Sequence, residues 1–514
     1  MVDWLCSKAT PSPMRLFEAL LLLSDLLTLI ALAIPLPRAV RWMRHSPVIA
    51  LLVAGAQGLV EGVRWEMFPA YLLTGLFFLA WMLRTRPGTS HPTKQTPSNR
   101  YFASLGIGLG IVGLAVSLAS PLILPVFHFP RPSGPYSIGT VTYHWVDAQR
   151  PEIFSADPKA RRELMVQVWY PAKKDPSAPH AAYLPEADAV TAAFARIHHV
   201  PRFIFDHFRY VKSNALSSAP AAGDQVSYPV LLFLEGATGY RQMNTFQVEE
   251  LASHGYIVAA IDQPGAAANV VFPDKHAVLC PSLEVLRSLI HQSYGPRNPP
   301  PTLNQRTFQE GIVPYLAQDV IFSLDQLAAL NQADPTRILT GKLDLRHVGT
   351  FGISLGGIVG SEACRVEPRL RACLIMDAPM PTEVVKTGLI QPCMWITRDT
   401  ATMRLERRRA GGWSEADIHE HQTTMRAVFE NLRGDGYFVQ IPGMFHANFT
   451  DLPYWSPLLP WLGFTGPIDG KRAHSITNAY TLAFFNRHLK GLPETLLDDP
   501  TAKYHEVLFE THRP

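Results

Sequence analysis

Before residue 130 the hydrophobic positions run together instead of alternating. Four stretches, roughly Leu16–Leu36, Val48–Val63, Pro69–Leu83 and Tyr101–Phe127, show no amphipathic period. A helix needs about 20 apolar residues to cross a bilayer. The first and fourth stretches are long enough, with Glu18 and Asp25 inside the first. The second and third are shorter and are separated only by Arg64-Trp65-Glu66-Met67-Phe68. That reads as a helical hairpin with a tight polar turn, with Trp65 and Phe68 suited to a membrane interface. Gly106, Gly108, Gly110 and Gly113 in the fourth allow close helix packing. The expectation is an all-α transmembrane region over 1–129 with about four helices.

Basic residues orient that region. Arg38, Arg41 and Arg44 follow the first stretch, and Arg84, Arg86, Lys94 and Arg100 follow the third. The N-terminal tail holds only Lys8 and Arg15, and the middle turn only Arg64. The positive-inside bias puts the first and third loops in the cytoplasm. Four spans then place everything after Phe129 on the extracytoplasmic side of a plasma or inner membrane. The first stretch is long, lacks a small-residue cleavage site and is followed by further spans, so it reads as an anchor and not as a cleaved signal peptide.

From about Pro130 to residue 514 the pattern changes to short apolar runs alternating with helical periodicity. Strands are expected at Gly139–Trp145, Glu163–Tyr170, Tyr228–Leu234, Tyr256–Ile261, Arg371–Met376, Cys393–Thr397 and Tyr437–Ile441. Helices are expected near Asn244–His254, Gln318–Leu330, Ser414–Leu432 and Ser475–Leu489. The fold class is therefore α/β, a mainly parallel sheet with helices on both faces. Residues 263–316 are Pro-rich and irregular, and read as a lid or insertion over the strand ends. A chain of 514 residues with net charge +3 and no basic stripe excludes nucleic acid as an expected partner. The cysteines, Cys6, Cys280, Cys364, Cys373 and Cys393, have no metal-type spacing and read as buried free thiols. Neither a metal nor a cofactor is called for.

The chemistry concentrates in Val348-Gly349-Thr350-Phe351-Gly352-Ile353-Ser354-Leu355-Gly356-Gly357. An apolar run ends in Gly-x-Ser-x-Gly and a helix-compatible stretch follows, the context of a nucleophile elbow. A serine nucleophile needs a base, and the base needs an orienting acid. In α/β-hydrolases these follow in the order Ser, acid, His. His446 is the only histidine placed just after a late strand; His419 and His421 read as helix-surface residues. For the acid, Asp377 ends one strand and Asp399 follows the next, and strand count alone does not choose between them.

The stretch from about 132 to 450 resembles the platelet-activating factor acetylhydrolase family of serine-dependent phospholipase A2-type enzymes. The matching segments are Gly134-Pro135-Tyr136-Ser137-Ile138-Gly139, Val168-Trp169-Tyr170-Pro171-Ala172 and Leu251-Ala252-Ser253-His254-Gly255-Tyr256-Ile257-Val258-Ala259-Ala260. They continue through the elbow, Ile375-Met376-Asp377-Ala378 and His446-Ala447-Asn448-Phe449-Thr450-Asp451. The resemblance implies an α/β-hydrolase fold over 130–514 and a Ser354, Asp377, His446 triad, with Asp399 as second choice for the acid. It also implies an oxyanion hole from the backbone amides of Ala237 and Leu355. Relatives usually carry His-Gly where this chain has Glu235-Gly236, and often His where it has Ile353. A carboxylate at 235 opposes an oxyanion unless it points away, caps the turn or pairs with a cation such as Arg241.

The expected function is membrane-tethered hydrolysis of acyl esters, with short-acyl or oxidised phospholipids as the substrates implied. The apolar run Pro453–Phe464 suits an acyl pocket or a lipid interface. The same triad also serves a general carboxylesterase, a polyester hydrolase or an acyltransferase, which product analysis separates. A non-catalytic membrane scaffold with a hydrolase fold is the reading of another class, and reactivity toward a fluorophosphonate separates it.

Overall fold

The computed structural model describes residues 14–34, 37–85, 97–498 and 503–513. Cys6, Lys8, Leu36, Arg86 and Lys94 lie outside them. The chain forms two compact units. The first holds the N-terminal helices together with Phe203–Val211 and Trp455–Pro457. Its helices are α1 (Leu16–Ala33), α2 (Ser46–Val60), α3 (Phe68–Thr85) and α4 (Pro97–Ile123).

Four helices form, but among the described residues only three segments are long and apolar enough to cross a membrane: Leu16–Ala33, Trp65–Thr85 and Ser104–Ile123. α2 has 15 residues, bounded by Pro47 in its first turn and Glu61 at its end. At 1.5 Å per residue it extends about 22 Å, short of the roughly 30 Å hydrocarbon core. The expectation of about four spans is corrected to three helices of spanning length plus a shorter one.

Several polar residues inside this apolar unit are paired, which offsets their burial away from water. Thr74 Oγ1 donates to both carboxylate oxygens of Asp25, at 2.9 and 3.0 Å. Thr28 and Ser46 hydroxyls lie 2.8 Å apart. The buried Arg64 guanidinium is 3.2 Å from both Glu18 and Glu66. The two later segments join by aromatic contacts: Trp65 Nε1 donates to the Phe203 carbonyl at 2.7 Å, and Phe208 meets Trp455 edge to face at 5.0 Å.

The second unit is built on an 11-stranded sheet. In chain order its strands are β1 (Ser137–Pro151), β2 (Arg161–Ala172), β3 (His180–Ala182), β4 (Lys212–Ser217), β5 (Tyr228–Leu234) and β6 (Ile257–Asp262). The set continues with β7 (Leu343–Ile353), β8 (Leu370–Met376), β9 (Cys393–Thr397), β10 (Gly436–Gln440) and β11 (Leu508–His512). The spatial order is β11-β10-β9-β8-β7-β5-β6-β2-β1-β4-β3. From β10 to β6 the neighbours are parallel; β11 runs antiparallel to β10, β2 runs antiparallel to both β6 and β1, and β1 pairs β4 in parallel.

The central strands are apolar at every position because both faces are covered. In β5, Val230, Leu232 and Leu234 enter one core while Leu231 and Phe233 enter the other. The first core is closed by α6 (Val313–Gln332) and α7 (Leu355–Val366), the second by α5 (Thr245–Ser253) and α10 (Gly470–Lys490). The α/β expectation, a mainly parallel sheet with helices on both faces, is borne out. Residues 263–316 are more regular than their proline content suggests, with a hairpin at Asn269–Val271 and Ala277–Leu279 and a helix at Leu283–His291. Leu286, Leu289 and Ile290 anchor that helix in the first core.

One buried cation ties β2 to α6. Arg162, with no exposed side-chain surface, donates to both oxygens of Asp319 at 3.0 and 2.6 Å, to Glu152 at 2.8 Å and to the Pro264 carbonyl at 2.9 Å. Removing one partner of such a cluster leaves uncompensated buried charge, a cost of about 3–5 kcal/mol. Arg162→Ala should therefore lose stability on that scale, read as a large fall in the unfolding midpoint of the detergent-solubilised protein. An unchanged midpoint would contradict this role for the cluster.

Candidate active site

The elbow is set by steric contact between backbones. β7 ends at Ile353, and Ser354 adopts φ 54° and ψ −120° before α7 begins. A positive φ is strained for serine and is tolerated where the surroundings over-determine it. A Cβ on Gly352 would stand 2.4 Å from the Gly356 carbonyl carbon, and one on Gly356 would stand 2.0 Å from the Leu234 oxygen. Only glycine fits at either position. The Ser354 amide donates to the Met376 carbonyl at 2.9 Å, pinning the turn to β8.

The loop after β5 runs beside the serine: a Cβ on Gly236 would lie 3.4 Å from Ser354 Cβ. Thr238 has φ 64°, and its amide donates to the Ala266 carbonyl at 2.7 Å. Ala237 and Leu355, the expected oxyanion donors, thus flank the elbow, one on this loop and one at the first position of α7.

Asp377 follows β8 with φ 48°. Its Oδ2 lies 2.5 Å from His446 Nδ1, and His446 opens a short 3-10 turn after β10. Thr397 Oγ1 donates to Asp377 Oδ1 at 2.9 Å, Arg398 Nε is 2.8 Å from Oδ2, and His421 Nε2 is 3.3 Å from Oδ1. Burial raises the proton affinity of this carboxyl, but the Arg398 guanidinium and the two imidazoles outweigh it and hold Asp377 well below the usual carboxylate range. Asp399 is engaged elsewhere. It caps the helix α8 (Thr400–Ala410), accepting from the Thr402 amide at 2.9 Å and hydroxyl at 2.5 Å.

Four neighbours escaped the sequence reading: Arg398, Glu406, Trp413 and His421. His421 is fully buried against Asp377, not on a helix surface. The signal was present, since in the helix α9 (Glu415–Glu430) His421 falls on the buried face with Ile418, Met425 and Val428. Arg398 directly follows β9, the strand beside β8, so its side chain starts level with Asp377. Cys280, Cys364, Cys373 and Cys393 are buried free thiols. Among the described residues no His/Cys/Asp/Glu group has the geometry to hold a metal.

Glu235 is 2 % exposed, and its Oε1 accepts from the Gln263 amide at 3.0 Å. Arg241 does not pair with it. Its amide and guanidinium engage Asp262, with Glu186 at 3.4 Å. Asp262 ends β6, the strand beside β5, and so takes the cation first. Burial and the adjacent Asp262 carboxylate push Glu235 well above its ordinary range. Both effects work against a negative charge at this position, the charge that would oppose an oxyanion.

Because the folded-state affinity of Glu235 for its proton is raised above the unfolded value of about 4.3, its contribution to stability is full below that pH and is lost as pH rises toward the folded value. Glu235→Gln keeps the acceptor and removes the ionisation. Its unfolding midpoint should match the parent near pH 4 and exceed it increasingly toward alkaline pH. A difference independent of pH would mean that Glu235 is already ionised.

The model of the family described as platelet-activating factor acetylhydrolase, isoform II, matches residues 124–496. The chain is 23% identical over 379 residues to the platelet-activating factor acetylhydrolase of Cavia porcellus, covering 70% of this chain and 78% of that protein. It is 24% identical over 431 residues to a probable 1-alkyl-2-acetylglycerophosphocholine esterase of Arthroderma benhamiae, covering 78% of this chain and 98% of that one. Among solved structures, a ferulic acid esterase from Streptomyces cinnamoneus aligns with TM-score 0.57 and 26% identity, over 74% of this chain and 99% of its own. The matched residues take in the sheet core, the elbow, Asp377 and the His446 turn, and they exceed half of the sequence. The chain belongs to the platelet-activating factor acetylhydrolase isoform II family of esterases.

Proposed function

We propose that this chain is a membrane-tethered serine ester hydrolase that cleaves short-acyl or oxidised phospholipids. The observation that carries the reading is the 2.5 Å pairing of His446 Nδ1 with Asp377 Oδ2 beside a serine held at positive φ on a nucleophile elbow. With Nδ1 engaged, Nε2 of the neutral ring is the basic nitrogen. It takes the Ser354 proton as Oγ forms a bond to the ester carbonyl carbon. The carbonyl oxygen becomes an oxyanion, stabilised by the amides of Leu355 and Ala237. Collapse breaks the ester C–O bond, and the imidazolium returns its proton to the leaving alcohol. Water, deprotonated by His446, then releases the carboxylic acid and regenerates Ser354.

Three apolar helices of spanning length support tethering, and the basic loop between α3 and α4, held in the cytoplasm, supports an extracytoplasmic site after α4. Near the His446 turn, Trp461 (88 % exposed), Leu462 and Phe464 present apolar side chains to solvent, as a protein working on lipid would. Segment 263–316 serves as the lid or insertion, since Ala266 and Ala268 hydrogen-bond the loop that carries Ala237. The relative named as a 1-alkyl-2-acetylglycerophosphocholine esterase favours the short-acyl phospholipid. The likeness to a ferulic acid esterase keeps a general carboxylesterase as the second reading.

Detergent-purified protein should release acetate from an acetylated ether phospholipid faster than long acyl chains from ordinary phospholipids. Ser354→Ala should lower kcat at least about 10³-fold and abolish labelling by a fluorophosphonate. Turnover limited to aryl esters would select the carboxylesterase. Neither turnover nor labelling in the parent would leave only the scaffold.

A further inference from the structure

Around the acid and the base of the site, four side chains close a ring. Asp377 Oδ2 takes His446 Nδ1 at 2.5 Å and lies 2.8 Å from Arg398 Nε. Arg398 Nη1 donates to Glu406 Oε2 at 2.5 Å, and that same Glu406 oxygen accepts from the His446 backbone amide at 3.1 Å. Arg398 is completely buried, and Glu406 sits in α8 with 10% of its side chain exposed. The half-buried Trp413 roofs the ring. The Arg398 guanidinium lies 4.6 Å from its centroid, and the His446 and His421 rings meet it edge to face at 5.5 and 5.7 Å.

Such a ring has electrostatic consequences for the base. An imidazole on a lone aspartate is made more basic, because the carboxylate stabilises the imidazolium. Here the same oxygen of the carboxylate faces a guanidinium, which does not lose its proton. That fixed positive charge, one carboxylate away from the ring, opposes protonation of His446. Glu406, on the far side of the guanidinium, offsets part of the effect. His421 completes the set of titratable groups around Asp377, and burial lowers its affinity for a proton.

We propose that Arg398 and Glu406 are positioning residues that act in opposite senses, through the shared Asp377 carboxylate, to set the pH at which His446 works as a base. The proposal rests on His446 being the base of the reaction described above. It assigns function to two residues that make no contact with substrate.

The test compares the full-length parent with Arg398→Met, Arg398→Lys and Glu406→Gln. Two readouts are taken against pH: kcat/KM for p-nitrophenyl acetate, and the rate at which diethylpyrocarbonate modifies His446, followed by peptide mass spectrometry. The second needs no turnover. Arg398→Met should move the acidic limb and the modification midpoint up by about one pH unit, a loss of about tenfold in kcat/KM on that limb. Glu406→Gln should move both down, and Arg398→Lys should restore the parental position. Coincident midpoints in the parent and Glu406→Gln, or shifts of the same sign in both charge-removing variants, would overturn the proposal. If Arg398→Met does not fold, Glu406→Gln and Arg398→Lys still decide it. Opposed midpoints without turnover in any variant would uphold the ring and sink the hydrolase reading instead.

Discussion

Asp377 is a carboxylate with no access to water, and the catalytic half of the molecule is arranged around its compensation. A buried carboxylate without partners would take up a proton and lose its hold on an imidazole. Here the hydroxyl of Thr397, the guanidinium of Arg398 and the rings of His421 and His446 surround it. They come from the end of β9, from α9 and from the turn after β10, and the parallel pairing of β8, β9 and β10 brings the strand ends together. The sheet therefore does more than carry the serine. Its register brings the ends of neighbouring strands level, so that one anion is met from several sides.

The elbow obeys a steric constraint as strict as that electrostatic one. Gly352 and Gly356 leave room for backbone alone, and the Ser354 turn takes its shape from that crowding. Glu235 shows how such a packed site admits an unusual residue. Burial beside Asp262 opposes ionisation of Glu235, while its carboxyl still anchors the Gln263 backbone amide.

Much of this was legible in the sequence, and what was not has a physical explanation. The continuous apolar runs of β5, β6, β8 and β9 announce strands covered on both faces, and Gly-x-Ser-x-Gly announces the elbow. Strand count alone left Asp377 and Asp399 equal, because the choice depends on which side chain reaches His446 across two loops. The hydrogen bonds of Asp399 to Thr402 form a local cap, a pattern that sequence spacing does not distinguish from a catalytic role. Arg398 looked like an ordinary charge after a strand, and His421 like a surface residue, because a charged or polar type at a buried position has meaning only once its partner is known. The strands β3, β4 and β11, at or next to the sheet edges, are short or half-exposed and lack the uninterrupted apolar signature. The short helix α2 looked like a span because composition reports hydrophobicity better than it reports where a helix stops.

The helical unit is not assembled from the beginning of the chain alone. Phe203–Val211, between the helix Ala187–Ile197 and β4, and Trp455–Pro457, just past the His446 turn, belong to it. Phe208 packs on Phe127 and Trp455, and Trp65 bonds the Phe203 carbonyl. The helical unit and the sheet unit are thus interleaved in the chain and are not joined end to end like two modules. A cut near residue 128 that removed the N-terminal helices would uncover these aromatic surfaces.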